Sequence, residues 1–465
     1  MAHDAISTVT APKQARPPGP HGIPFLGNLP GLLRNPLKLY EDLARYGDVV
    51  EYRVGRMRAF MINRPEYIGE VFQRDNVTFT RSVFHERIKS LFGDGLVTSE
   101  GDAWRQQRGL MQPAFHKNRM SGYVPLIREA TSDLLNDWSK AARTGERVNA
   151  TADLARLTQR LAVKIMFGTD LAERSLGAIR GALATINAEL YKQVLFGWWQ
   201  YLPLPGNFRY RRATRTLEHI MRTVVQDKAA REGEGQDLLT MLMQAHAQNT
   251  SAPLGDRSIR DQMTTIFIAG HDTTVSVLSW TLFLIGQHPE VMERIEQEVD
   301  KILGDGEPAY EHLSSLTYTK QVIEEAMRLY PPAYGLTRKA VTNTTLGGYF
   351  IPAGSLLFIS PYVMHRHPGY WDEPLRFDPD RFTKEHCDKR LRYTYFPFAG
   401  GPRTCIGVHL AMIEMVLVLA MTTRAYSVTL VPECPVVPRP LLVLRTKEGV
   451  VVRLSRRHRG PPGNR

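Results

Sequence analysis

One block of the sequence sets the terms for the rest. From Arg257 to Leu303 the chain reads RSIRDQMTTIFIAGHDTTVSVLSWTLFLIGQHPEVMERIEQEVDKIL. Apolar residues recur at helical spacing throughout, with one interruption at GQHPE. VPLIREATSDLLNDWSKAA and ADLARLTQRLAVKIMFG keep the same period, the second with a glycine near its end. HLAMIEMVLVLAMTTRA reads as a buried helix. Strand patterns are confined to two places. DVVEYRVGRMRAFMINRP alternates around a glycine and predicts a hairpin, and LGGYFIPAGSLLFISPYVMHRHP predicts short strands. The expected class is mainly α with small β regions. No repeat or low-complexity linker divides the chain. One domain is expected over residues 17–455, between a polar tail at 1–16 and a basic tail at 456–465. RPPGPHGIP would enter that domain as a stiff, extended leader.

Inside the long block, AGHDTT breaks a local rule. A mid-helix glycine costs about 1 kcal/mol relative to alanine, and threonine is a weak helix former. A helix accepting Gly270, Asp272, Thr273 and Thr274 together marks a functional site. Ala269 and Thr273 lie one turn apart on one face, where small side chains leave space and a hydroxyl can hold a ligand or water. The bland alternative is a threonine bonding back to its own helix. His271 is read as packing or solvent-facing, not as a ligand.

A second stretch, FAGGPRTCIG, holds Cys405 just before a helix. Glycines at 400, 401 and 407 permit tight turns and close approach of a flat ligand. Arg403 and the helix N-terminus are expected to lower the thiol pKa and aim its sulfur at a cation. Cys387, Cys405 and Cys434 cannot build a disulfide framework, which favours a reducing compartment. Cys387 and Cys434 are read as small buried hydrophobes.

Three weaker patterns accompany these. In EEAMRLYPP, Glu325 and Arg328 share a helix face, by themselves a surface ion pair of little worth. FDPDRF places Arg381 after a proline turn. In WRQQR, Trp104 and Arg108 stand one turn apart and could grip an anion.

Together these motifs, in this order and across nearly the whole chain, resemble the haem-thiolate monooxygenases, the cytochrome P-450 family. Phe398, Gly401, Arg403, Cys405 and Gly407 stand where that family's cysteine loop needs them. Ala399 departs from the commoner serine or glycine. AGHDTT looks like the family's oxygen-activating helix segment. Glu325, Arg328 and Arg381 match its buried structural cluster, and Trp104 with Arg108 its haem-propionate pair.

The resemblance implies haem b, iron protoporphyrin IX, between the long central helix and the cysteine-loop helix, with Cys405 as axial thiolate. It implies Arg108, Arg403 and Arg338 as propionate partners, Phe398 and Gly407 around the ligand, and Thr273 with Asp272 in oxygen handling and proton relay. It implies a pocket including Thr265, Ala269, Gly270, Thr273, Tyr334 and Leu336. The reaction implied is insertion of one oxygen atom of O₂ into an apolar substrate, with fatty acids and terpenoids ahead of steroids and polyketides. Electrons would come from a separate ferredoxin or flavodoxin-type donor and its reductase. A peroxide-driven peroxygenase is the first rival, argued against by Asp272 and Thr273. A haem carrier or sensor is the second, argued against by the space at Ala269 and Gly270.

Net charge is +12 and the pI is near 9.6. Without zinc-finger spacing, and with no arginine-rich run beyond SRRHRG, no nucleic-acid partner is expected. A basic docking face for an acidic electron carrier suits the charge better. Residues 1–16 lack the apolar core of a signal peptide, and no membrane span is expected, so a cytoplasmic location is the reading. YKQVLFGWWQYLPLPGNFRYRRA, within 191–213, reads as a lipophilic lid near the substrate access, with peripheral membrane contact as its alternative.

Overall fold

The computed structural model of the chain describes residues 16–74, 77–168, 171–230, 237–248 and 256–457. The helix-dominated architecture is present. The central helix runs Asp256–Gln287. It stops where expected, because residue 288 precedes a proline and adopts φ −127°, ψ 77°. Pro289 then opens the next helix, Pro289–Leu303, from its first position. Ala150–Phe167 is capped by Asn149, whose side chain accepts the Ala152 N–H, and ends on Gly168 at φ 65°.

Two helices satisfy the length and composition of a membrane span, Arg257–Gln287 and Val408–Ala425. Of their most apolar windows, 78% and 61% is buried inside the protein. Leu278, Leu282 and Ile285 of the central helix pack with Val416, Leu417 and Leu419 of the cysteine helix, Val408–Ala425. Two of the chain's most apolar segments therefore cover each other, together with Met120–Thr144, Ala150–Phe167 and Thr317–Leu329.

The expected hairpin forms from β1, Val49–Val54, and β2, Met57–Ile62, with Gly55 at φ 61° in its turn. It joins β3, Phe79–Thr80, β4, Leu336–Ala340, and β5, Leu356–Ile359, in one sheet ordered β1-β2-β5-β4-β3. β2 and β5 are parallel, Ala59 opposite Leu356.

Arg16, the first described residue, donates to the Glu51 carboxylate at 2.9 and 3.1 Å. Burial alone would raise the Glu51 pKa, but Arg16 and Arg58 overcome it and hold the group down at about 2. At the other end, Arg456 pairs with Tyr426 in the strand Val451–Arg456. Arg457 is anchored on Glu296 at 3.1 Å and Asp300 at 2.8 Å. Residues 1–15 and 458–465 lie outside the described residues. Cys387 and Cys434 also differ from expectation. Cys387 is exposed on the short helix Lys384–Lys389, and Cys434 is half-buried, so neither is a core residue.

Candidate active site

A cavity of about 350 Å³ opens between the central helix and the cysteine loop, walled mainly by apolar side chains. The central helix contributes Thr265, Ala269, Gly270 and Thr273 to it. Trp104 and Arg108 come from the helix Gly101–Met111, and Leu336 from β4. The loop contributes Phe398, Arg403, Cys405 and Gly407. Most of the residues singled out in the sequence therefore meet at one place. Ala269 and Gly270 are exposed on an otherwise buried stretch of helix because they face this space. A Cβ at Gly270 would meet nothing within 4 Å. The Thr273 hydroxyl donates to Ala269 O at 2.7 Å and that of Thr274 to Gly270 O at 2.9 Å. The back-bonding alternative is thus realised, yet Thr273 still lines the cavity.

The cysteine loop is held by its own backbone. Cys405 N–H donates to Phe398 O at 3.0 Å, and the cysteine helix begins three residues later with Gly407 as its N-cap. Ala399 and Gly401 take φ 61° and 69°. Gly400 and Gly401 serve packing and not ligand approach, contrary to expectation. A Cβ at 401 would stand 2.4 Å from Phe72 O, and one at 400 would stand 2.7 Å from the rings of Phe72 and Tyr393. Of the three glycines, only Gly407 lines the cavity.

The expected low thiol pKa is not what the surroundings give. Burial pushes the Cys405 thiol up, and the Gly407 N–H and the Arg108 charge only partly reverse it. A metal cation bound by the sulfur would displace that proton. Nor is Arg403 the charge acting on the sulfur. Its guanidinium lies over the Trp104 ring at 4.4 Å and bonds Glu100 at 2.9 Å and Ser99 O at 3.1 Å. Arg108 donates to Thr404 O at 2.7 Å.

Sequence reasoning missed Arg81, His85 and Glu100. Arg81 lines the cavity, and Glu100 is shared by Arg403 and Arg81, the latter at 4.0 Å. His85 lies beside them, pushed well below its usual pKa by burial and by Arg81, Arg338 and Arg403. These residues carry no motif; only the fold brings Arg81 to the cavity wall with Arg108 and Arg403 and sets the Arg338 charge nearby.

A family model for Cytochrome P450 matches residues 17–453. The chain belongs to the cytochrome P450 family. Cyclooctatin synthase of Streptomyces melanosporofaciens is 34% identical, over 91% of this chain and 92% of that one. Pentalenene oxygenase of Streptomyces avermitilis is 30% identical, over 95% and 97%. The crystal structure of cytochrome P450DA heme domain superposes with a TM-score of 0.86 at 26% identity, covering 96% and 98%. This chain is a P450 monooxygenase, and its family binds haem through a cysteine thiolate.

The residues present fit that group. A lone thiol faces an apolar cavity whose one edge is positively charged, which suits a flat apolar ligand carrying a cation and two carboxylates. Two expected residues stand off the lining of this P450 cavity. Arg338 is buried on β4 and lines an adjoining cavity with Arg81 and His85, near enough for its charge to act on His85. Tyr334 also lines the adjoining cavity, because its hydroxyl is tied to Leu441 O at 2.7 Å. Leu336 borders both spaces.

Asp272 is the third such residue. It is buried and does not line the P450 cavity. One carboxylate oxygen accepts from Asn187 Nδ2 at 3.0 Å and the other is ion-paired with Arg445. His271 packs as expected, stacked on Phe267 and bonded through Nδ1 to the Thr158 hydroxyl at 2.7 Å.

The Glu325–Arg328 pair is not at the surface. Both side chains are fully buried and bonded in two places, at 2.6 and 2.8 Å. Arg328 also donates to the carbonyls of His365, Pro374 and Arg376, and Glu325 accepts the Asp378 N–H. Arg381 stands 3.6 Å from Glu325. The cluster reaches the cysteine loop through His365, another residue without a sequence signal. Burial, with Arg328 and Arg366, keeps His365 well below its usual pKa, so its Nε2 accepts the Phe396 N–H at 2.9 Å.

Proposed function

We propose that the protein hydroxylates a cyclic terpenoid-class hydrocarbon, using O₂ and two electrons delivered singly by a ferredoxin or flavodoxin-type carrier and its reductase. The observation that carries this reading is one apolar cavity whose walls hold the Cys405 thiol, the Thr273 hydroxyl and the open Ala269–Gly270 surface. The names of the Streptomyces relatives support the terpenoid class. Three free thiols suit the reducing, cytoplasmic setting that is part of the reading.

When bound, haem supplies the oxygen-activating chemistry. Cys405 would hold it, with Arg81, Arg108 and Arg403 for its propionates, Trp104 stacked under Arg403, and Phe398 and Gly407 of the cysteine loop beside it. Apolar walls desolvate and orient the substrate. The Thr273 hydroxyl donates its hydrogen bond to Ala269 O, so its lone pairs remain to accept one from water or a protonated ligand. Tyr191, Val194 and Leu195 line the adjoining cavity, and the Phe196, Trp198 and Trp199 rings cluster just beyond it. That arrangement supports the lid reading of this segment.

Optical titration of the holoprotein tests the substrate class. Cyclic terpenes should move the Soret band toward the high-spin form, and linear fatty acids should not. Ala269→Phe, which fills the open face, should weaken the terpene response about tenfold or more. A response to linear acids alone sinks the terpenoid reading.

The carrier should dock where Lys117, Arg119 and His409 are exposed, beside the start of the cysteine helix. Burial and the Lys117 and His116 charges hold His409 below its usual pKa, which marks the local field as positive. Reversing both charges, Lys117→Glu with Arg119→Glu, should raise the carrier KM about tenfold at low salt, and less at high salt. An unchanged KM counts against this face.

A further inference from the structure

We infer that the adjoining cavity is a second substrate subsite, which takes a neutral oxygen function, a hydroxyl or a carbonyl, at the end of the skeleton away from the reacting carbon. The inference rests on the terpenoid class proposed above and refines it: the hydrocarbon frame stays and carries one oxygen. The adjoining cavity measures about 190 Å³. Arg81 and Leu336 line both spaces, so the two meet at these side chains. A skeleton lying over Leu336 would reach from one into the other.

Four tyrosines from four separate parts of the chain line the adjoining cavity. Tyr40 lies on the helix Pro36–Ala44, Tyr52 on β1, Tyr191 on the helix Glu173–Leu195, and Tyr334 just before β4. The Tyr40 phenol is within electrostatic reach of the other three. Tyr334 is already tied to Leu441 O. The hydroxyls of Tyr40, Tyr52 and Tyr191 have no hydrogen bond among the described residues. Tyr40 and Tyr52 are only 7% and 3% exposed, yet neither oxygen is walled in, so both open on the cavity that their rings line. Polar groups buried to that depth ordinarily have a partner, and a phenol can both donate and accept. Three such hydroxyls on one small space suit a single ligand oxygen.

The cavity has a charged part and a neutral part. Arg81 and Arg338 line it with His85 and act on that ring. No arginine acts on any of the four phenols. Burial raises them all, Tyr191 to about 12, so they keep their protons at neutral pH. A carboxylate placed among them would be a buried charge without a cation. An alcohol or ketone offers the phenols an acceptor without that penalty. The Tyr40 ring, stacked on Phe358 at 4.1 Å, gives the carbon frame an apolar wall beside them.

Soret titrations of the holoprotein test this with cyclic sesquiterpenes and diterpenes, each skeleton taken as hydrocarbon, alcohol, ketone and carboxylic acid (α-cedrene beside cedrol, for one). The proteins are wild type, Tyr52→Phe, and Tyr40→Phe combined with Tyr52→Phe. In wild type the alcohol or ketone should bind about tenfold tighter than its hydrocarbon, the worth of one or two hydrogen bonds. Tyr52→Phe should lose part of that preference and the double variant all of it, with hydrocarbon binding kept within about twofold. The urea midpoint of the double variant should match wild type, because the lost hydroxyls hold no other group of the protein. A wild type indifferent to the oxygen, or a preference that survives in the double variant, overturns the subsite. A lowered midpoint with the preference intact does so as well, since it assigns the hydroxyls to the fold through buried water. Tightest binding of the acid overturns the neutral character given to the site. If no terpene moves the band, oxygenated or not, the terpenoid reading falls and the subsite with it. Terpenes that bind without regard to their oxygen count against the subsite alone.

Discussion

Cys405→Ala should leave no measurable monooxygenase turnover. Changing residues that only orient a metal's ligands already costs about 10–100-fold, so loss of the ligand itself should exceed about 100-fold. Of the three thiols, only Cys405 lines the cavity. Its position depends on a backbone bond to Phe398 and on a loop seated against Phe72, neither of which involves the sulfur. Alanine should therefore fold normally and fail chemically. Cys387→Ser and Cys434→Ser are the controls and should keep activity within about twofold, being surface and half-buried residues outside the cavity. The measurement is the absorption spectrum of each purified variant together with product formation. If Cys405→Ala keeps the wild-type spectrum, the assignment of the axial ligand is wrong.

Glu325→Ala should destabilise the fold by about 3–5 kcal/mol, the usual cost of leaving one partner of a buried ion pair alone. The Arg328 guanidinium would stay in the core with only the carbonyls of His365, Pro374 and Arg376 to satisfy it. Because His365 also anchors the Phe396 N–H, and the Tyr395 hydroxyl bonds Glu324 O, the loss should spread to the cysteine loop. Haem retention should fall with stability in this variant. Glu325→Gln keeps an acceptor for the Asp378 N–H and should cost less. Urea unfolding of the holoproteins checks both. A Glu325→Ala midpoint equal to wild type would remove the structural role given to the cluster.

What the sequence shows well is what short segments determine. The spacing of Trp104 and Arg108, the small-residue break at Ala269 and Gly270, and the loop around Cys405 are local patterns, and the fold gathers all three at one cavity. Orientation is set by distant residues and was not legible. Asp272 turns away from the cavity because Asn187 and Arg445, on other elements, hold it. Tyr334 misses the cavity because its hydroxyl finds Leu441 O. The Cys405 thiol illustrates a different limit. Its charged neighbours are visible in the chain, but the burial that outweighs them is a property of packing. Glu325 and Arg328 read as an exposed pair for the same reason, since helix spacing gives the pairing but not the depth.

The parallel pairing of β2 with β5 bears on how the chain is made. Ala59 meets Leu356 only after most of the polypeptide has left the ribosome. At about 5–20 residues per second, the N-terminal hairpin waits roughly 15–60 s with one strand edge open. β5 is also the neighbour of β4, so both join late, and Leu336 of the cavity wall arrives with them. Sheet closure and cofactor capture therefore fall in the same final stage of synthesis. A shortage of haem at that moment would leave an unfinished sheet edge exposed to self-association.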